Sequence, residues 1–163
     1  MSYGIIGKSY AWVCTNLKRF TGNFSAHRFG KIAVIFNECV DMGKGGEWDK
    51  LKAVIADDEY VHEGKGKAMF MRAETAAYVF ISNWANAVKL GNGDRRYACI
   101  EMSQHKLGDH QYFSDLAEAC RDPRAQRLWF NYLIRIDIDD WNRRLIPRTD
   151  LRTAIKSNKK QNL

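Results

Sequence analysis

The sequence predicts an α/β fold: a parallel sheet core, an inserted β-hairpin and C-terminal helices. Two short, nearly continuous apolar runs rich in β-branched residues, Lys31–Asn37 and Ala77–Asn83, are typical of strands buried on both faces of a parallel sheet. Helical periodicity appears only later in the chain, so strands come first and helices last. With 163 residues, of which 45% are hydrophobic, the chain can form one domain with a sizeable core.

A helix and a hairpin are predicted between these two strands. Apolar residues at helical spacing predict the helix over Trp48–Ala56, after a glycine-rich loop. Glu59–Met71 contains two short extended pieces around Gly64-Lys65-Gly66, which is a hairpin signature.

The second half of the chain predicts one more strand and two helices. The run Arg96–Met102 is predicted as a third strand. Residues 109–121 and 123–136 have helical periodicity, and Asp122 and Pro123 suit the N-cap and first turn of the second helix.

Composition narrows the functional classes. There is no apolar run near 18 residues and no signal-peptide pattern, so we expect a cytoplasmic protein without a membrane partner. The four cysteines, Cys14, Cys39, Cys99 and Cys120, are far apart, which indicates free thiols rather than a metal site.

Positive charge is concentrated at the C-terminal end. Residues 142–163 hold seven Lys and Arg residues against one Asp, which is +6 of the formal net charge of +7. A basic tail can bind nucleic acid by neutralising phosphates, and the alternative is a solvated terminus.

Gly7-Lys8-Ser9 matches the second half of the phosphate-binding loop G-x-x-x-x-G-K-[ST]. In such a loop the Lys pairs with the outer phosphates of ATP and the hydroxyl reaches Mg²⁺, so Lys8 and Ser9 are candidate cofactor ligands. Ser2 stands where the first glycine is required, and no strand precedes the tripeptide. The alternative interpretation is a simple N-terminal segment.

Polar residues follow both predicted buried strands. Asn37-Glu38 ends the first strand and Ser82-Asn83 ends the second. Because ligands bind at the carboxyl edge of parallel sheets, a carboxylate and an amide there could orient one water for phosphoanhydride hydrolysis. Arg95 and Arg96 follow, and their planar, permanently charged guanidinium groups suit a developing phosphoryl charge.

The runs FTGNFSAHRFGKIAVIFNEC, LKAVIADDEYVHEGKGK and VFISNWANAVKLGNGDRRYACIEMS resemble, in order and spacing, the phage and plasmid primase-helicases of helicase superfamily 3, within the AAA+ ATPases. The resemblance covers roughly residues 14–153. It implies an AAA+-like sheet, ATP and Mg²⁺ as cofactors, single-stranded DNA as partner, and a hexameric ring in a phage-infected or plasmid-bearing bacterial cell.

The same resemblance assigns roles to individual residues. Glu38 would end the Walker B strand, touch Mg²⁺ and polarise the attacking water, and Asn83 would be sensor 1. Lys65 and Lys67 on the hairpin would contact DNA. Either Arg95 or Arg96 would supply the arginine finger to the ATP of a neighbouring subunit.

Two departures from the family pattern matter. The Walker B motif usually ends in Asp-Glu, but this sequence has Asn37-Glu38 at that place. An amide is a poorer partner for Mg²⁺ than a carboxylate. Lys8 also precedes Thr21 by only 13 residues, too few for the helix and linker that normally follow a P-loop. We therefore expect an N-terminally truncated module.

We divide the chain into an atypical N-terminal segment (1–13), a partial helicase ATPase core (14–107), a helical part (108–155) and a basic tail (156–163). The expected function is part of an ATP-dependent DNA helicase. Two alternatives stay open: a non-catalytic DNA-binding or oligomerisation remnant without a working P-loop, and a gene product with no retained activity.

Overall fold

The computed structural model describes residues 5–22, 26–38, 46–63, 66, 68–83, 90, 91, 94, 96–142 and 145–158. Within these residues the strands are β1 (Ala11–Cys14), β2 (Ala33–Asn37), β3 (Glu59–His62), β4 (Phe70–Ala73) and β5 (Ala77–Ile81). The α-helices are α1 (Leu17–Thr21), α2 (Glu47–Ala56), α3 (His110–Arg121), α4 (Pro123–Leu133) and α5 (Asp150–Asn158). A 3-10 helix covers Ala26–Arg28.

Three strands form a parallel sheet in the order β1-β2-β5. The α/β class with a parallel core is therefore confirmed, and β2 and β5 are direct neighbours in the sheet. The strand β1 was not predicted. Residues Arg96–Met102 are not a strand, although Tyr97 and Cys99 are buried and their neighbours are exposed. That period-two burial comes from contact with the core rather than from pairing with a strand of the described sheet.

One face of the sheet carries the core. The strands alternate side chains between the two faces, and the even-numbered residues Val34, Phe36, Tyr78 and Phe80 lie together on the covered face. The rings of Phe36 and Phe80 stack with centroids 4.7 Å apart, and fully buried Phe20 of α1 meets Phe36 edge to face at 5.0 Å. Helix α2 adds Trp48 and Leu51 to the same cluster.

The opposite face of β5 is open. Val79 is 46% exposed and Ile81 is 39% exposed, while Tyr78 and Phe80 are partly buried. The expectation that this strand is buried on both faces is therefore wrong. The reason is that the hydrophobic cluster of the described residues packs against Tyr78 and Phe80, on the face of β5 opposite to Val79 and Ile81.

The predicted hairpin and the two predicted helices are present. Strands β3 and β4 pair antiparallel, with Tyr60 opposite Arg72. Asp109 caps α3, and Asp122 caps α4 by accepting a hydrogen bond from the Arg124 backbone N–H at 2.8 Å. None of the described helices is long and apolar enough to cross a membrane.

Helix α5, which was not predicted, packs back on the sheet domain. Leu151 and Ile155 are partly buried against the hydrophobic core. Thr149 stands before its first residue and accepts a hydrogen bond from the Arg152 backbone N–H at 3.3 Å through its hydroxyl. The C-terminal end of the described chain therefore contacts the same core as α1 and α2.

Candidate functional site

The residues that end β2 and β5 lie at one edge of the sheet. The register pairs Asn37 with Ile81, and the backbone N–H of Glu38 donates to the Ile81 carbonyl at 3.0 Å. Ser82 and Asn83 follow Ile81 directly, so the sheet brings Glu38 and Asn83 to the same carboxyl edge. Both side chains are exposed, and a water or ligand can reach them from solvent.

Glu38 has a positive φ of 46°. The left-handed region is uncommon for a residue with a Cβ and costs roughly 1–2 kcal/mol. This backbone turn ends the strand at Asn37 while keeping the Glu38 N–H on the Ile81 carbonyl. Unfavourable backbone conformations occur preferentially at functional sites, which makes this carboxylate the leading candidate for chemistry at the edge.

The edge offers oxygen ligands that suit a hard cation. Asn37 contributes an amide and Glu38 one carboxylate, and no group of three His, Cys, Asp or Glu side chains that could hold a metal occurs among the described residues. Mg²⁺ is commonly bound by one or two carboxylates together with substrate phosphates. The donor set therefore fits Mg²⁺ only in company with a phosphate ligand.

The loop that carries the two candidate arginines is anchored by Asp94. The Asp94 side chain is 5% exposed, accepts the Arg96 backbone N–H at 3.0 Å and forms an ion pair with the Arg96 guanidinium at 3.4 Å. Arg96 itself is 40% exposed, so its guanidinium is accessible from outside. Arg95 lies outside the described residues.

Helix α5 holds this loop from the other side. The Asp94 carbonyl accepts a hydrogen bond from the guanidinium of Arg152, which is buried, and another from the ammonium of Lys156 at 3.1 Å. The Thr149 hydroxyl donates to the Cys99 carbonyl in the segment that follows the loop. We call this set, Asp94 with Arg152 and Lys156, the α5 clamp.

Tyr97 and Cys99, in the segment that follows Asp94, are both buried. This burial affects their ionisation. It raises the pKa of the Cys99 thiol and the pKa of the Tyr97 phenol, so both side chains stay neutral at physiological pH. Sequence reasoning missed the role of Asp94, Arg152 and Lys156. A weak signal for it was present, because Arg152 and Lys156 are four residues apart and share one face of a helix.

The structure does not place Lys8 and Ser9 beside Glu38. Gly7 forms a turn in which its carbonyl accepts the N–H groups of Tyr10 and Ala11, both at 3.2 Å, and the chain then enters β1. A P-loop instead opens a helix.

Lys8 and Ser9 also lie at the amino end of the parallel sheet. There the Lys31 ammonium bonds to the carbonyls of Ser9 at 2.7 Å and Lys8 at 3.4 Å. The five residues of β2 separate this end from Glu38 by about 16 Å. The assignment of Lys8 and Ser9 as ATP ligands stays a prediction, and this separation favours the alternative of a simple N-terminal segment.

The two hairpin lysines, Lys65 and Lys67, also lie outside the described residues. The strands that flank them are present, and Gly66 between them has a φ of +71°, which suits a tight connection. Their predicted contact with DNA stays a prediction.

Taken together, the fold and this edge define an α/β protein with a polar site at the carboxyl end of a parallel sheet. Residues 2–96 match a family described as a family of unknown function, DUF5906. The match covers more than half of the chain, and the protein belongs to this family. No curated protein sequence matches the chain.

Solved structures with a similar fold are those of the NrS-1 C terminal region. The apo structure of residues 305–718 superimposes with a TM-score of 0.71 at 17% identity, covering 94% of this chain and 37% of that one. An A form apo structure of the same region gives a TM-score of 0.69 at 16% identity, covering 96% and 38%. This chain thus spans less than half the length of the structures it matches, and at this identity the similarity concerns the fold.

Proposed function

We propose that the chain is part of a superfamily 3 ATP-dependent DNA helicase, a primase-helicase used in phage or plasmid replication. The similarity of the fold to the NrS-1 C terminal region supports a replication function. The order of the sequence motifs supports the finer assignment to superfamily 3.

One observation carries the proposal: Glu38 and Asn83 follow two strands that pair in parallel and in register. In the proposed reaction Glu38 accepts a proton from the attacking water and Asn83 orients that water. Phosphoryl transfer needs little else from the protein beyond positioning and electrostatic stabilisation. Mg²⁺, when bound with ATP, neutralises charge on the phosphates, and Asn37 and Glu38 are the residues that would face it.

The arginine finger is assigned to Arg95 or Arg96, acting on the ATP of a neighbouring subunit in a hexameric ring. The α5 clamp supports this role, because a finger must be held in place to reach across an interface. Single variants of the two arginines, assayed in the assembled state, distinguish them. The loss expected for the finger is about 10³–10⁵ in turnover.

The ATP phosphates require a P-loop other than residues 7–9. In the described sheet the outer edge of β5 pairs with no further strand, so a P-loop strand would have room beside Asn83. We propose that such a strand, from outside the described residues or from a second polypeptide, completes the site.

The test is ATP hydrolysis and displacement of an annealed strand by the assembled protein. Glu38→Gln should keep nucleotide binding and lower turnover by about 10²–10⁴, the usual contribution of a positioned base. Glu118→Gln is the matched control, since it makes the same charge change on exposed α3. Equal turnover in the two variants would remove Glu38 from the mechanism.

A second candidate function is a non-catalytic DNA-binding or oligomerisation module. It is favoured by the turn at Gly7, which gives residues 7–9 a geometry unlike a P-loop. Single-stranded DNA binding by the hairpin lysines, with no ATP hydrolysis in any assembly, would support this candidate. Absence of both activities would support the third, a product without retained activity.

A further inference from the structure

One face of the β3–β4 hairpin carries a cluster of aromatic rings and one arginine. None of these residues belongs to the polar site at the carboxyl end of the parallel sheet. Tyr60 of β3 is paired with Arg72 of β4, and Phe70 lies two residues before Arg72, so all three are on one face of the hairpin. Phe29, which follows the 3-10 helix, packs against this face. We call Phe29, Phe70 and Arg72 the hairpin-base cluster.

The two phenylalanine rings of the cluster are both accessible. Their centroids are 6.3 Å apart at an interplanar angle of 82°, and Phe29 is 45% and Phe70 is 42% exposed. The Arg72 guanidinium lies 5.0 Å from the Phe29 centroid and 5.8 Å from the Phe70 centroid. Both phenylalanines are therefore accessible from solvent, beside a planar cation.

Arg72 differs from its neighbour Arg28 in how its charge is balanced. Arg28 is buried between the rings of Phe20 and Tyr60 and forms an ion pair with Glu74 at 2.7 Å, both side chains being 9% exposed. No carboxylate of the described residues forms an ion pair with Arg72. Of these two arginines, Arg72 is therefore the one whose positive charge remains for an external anion.

A cavity of about 190 Å³ adjoins the cluster, and its lining includes Arg28, Phe29, Lys31, Tyr60, Arg72 and Glu74. It is smaller than the roughly 300–1,000 Å³ of common small-molecule pockets, so it suits one ring or one phosphate rather than a large ligand. Its charged lining comprises three cations and one anion, a balance that favours an anionic ligand. Burial raises the pKa of Tyr60, so its phenol stays protonated and can donate a hydrogen bond.

Planar hydrophobic surface next to an unneutralised guanidinium is the combination that binds single-stranded nucleic acid, in which bases stack and phosphates are neutralised. We propose that Phe29, Phe70 and Arg72 form a stacking site for one base of a single strand, with Arg72 facing the adjoining phosphate. The inference deepens the proposed function, because it assumes that the hairpin contacts single-stranded DNA. It differs from the expected role of Lys65 and Lys67, which is phosphate contact at the tip.

The test compares two labelled oligonucleotides of equal length, oligo-dT and an abasic strand with the same number of phosphates. The full chain should bind oligo-dT more tightly, because only that strand offers bases. Phe29→Ala and Phe70→Ala should each weaken oligo-dT binding by about 5- to 150-fold, the usual contribution of one stacked base. Both variants should leave binding of the abasic strand and the salt slope unchanged.

Phe113→Ala is the matched control, since Phe113 on α3 is 51% exposed and lies in a different part of the fold. Phe70→Trp keeps a stacking surface and should retain the preference for oligo-dT. Arg72→Lys keeps the charge and should lose part of the preference while preserving the salt slope.

Equal affinity of the wild-type chain for the two strands, or no binding to either, would overturn the proposal without any variant. Binding of thymidine monophosphate at the cluster with no binding of oligo-dT would also overturn it, because the site would then serve a free nucleotide. Loss of strand displacement in Glu38→Gln with the oligo-dT preference intact supports both proposals. If the wild-type chain binds oligo-dT more tightly than the abasic strand but hydrolyses no ATP in any assembly, the result supports the stacking site and not the helicase proposal.

Discussion

Removing Arg152 should loosen the loop that carries the candidate arginine finger. Arg152 is 8% exposed and donates to the Asp94 carbonyl, a charge-assisted hydrogen bond that contributes about 1.5–3 kcal/mol. Arg152→Met should therefore lower the free energy of unfolding by about that amount, with Lys156 still bonded to the same carbonyl at 3.1 Å. For a chain of this size the melting temperature should fall by roughly 3–12 °C.

The double variant Arg152→Met, Lys156→Met should lose more than the sum of the two single changes. The Asp94 carbonyl then has neither α5 donor, and partners that share one acceptor couple by about 0.5–3 kcal/mol. Urea denaturation measures the stability, and ATP hydrolysis in the assembled state measures the finger. Arg148→Met is the control, because Arg148 is exposed and carries the same charge. If the Arg152→Met variant has the same free energy of unfolding as the Arg148→Met variant, the proposed role of the α5 clamp is refuted.

Three further predictions concern other parts of the molecule. Glu74→Gln should lower the free energy of unfolding by about 3–5 kcal/mol in urea, because it leaves the buried Arg28 charge without its partner. Lys8→Ala should leave nucleotide affinity unchanged in equilibrium binding, since Lys8 lies at the far end of the sheet; a large loss would restore the P-loop interpretation. Replacing Lys65 and Lys67 by Ala should reduce the salt slope for single-stranded DNA by about one to two units, whereas deleting residues 159–163 tests the tail.

A strand of the sheet could be predicted where its buried residues give the sequence a recognisable apolar run. The run that contains β2 is apolar because Val34 and Phe36 face the core, and such a run predicts a strand from sequence alone. The strand β1 has only four residues, AWVC, and its pairing with β2 is a long-range contact that no local pattern encodes. The exposed face of β5 was missed for a related reason: Val79 and Ile81 are apolar whether or not something covers them.

The candidate site also has residues whose position follows from local strand patterns and residues that only long-range contacts bring together. Glu38 and Asn83 were predictable because each follows a recognisable strand and parallel strands end at a common edge. The bond between Arg152 and Asp94 joins residues 58 positions apart, so only the folded chain reveals it. The hairpin-base cluster likewise needs Phe29 and Phe70 together, and neither segment alone predicts it.

The clamp also changes how the basic tail is understood. In the sequence the tail is a single block of positive charge, and deletion of residues 156–163 is the direct test of its binding to DNA. In the structure Arg152 is buried and donates to the Asp94 carbonyl, and Lys156 bonds to the same carbonyl, so these two side chains hold the loop next to the candidate Arg96. A deletion that includes Lys156 would therefore weaken the loop and DNA binding together. Cutting after Asn158 separates the two effects, because it removes Lys159 and Lys160 and keeps the clamp. If this shorter deletion abolishes binding to single-stranded DNA while the hairpin lysines are intact, the tail rather than the hairpin is the principal DNA contact.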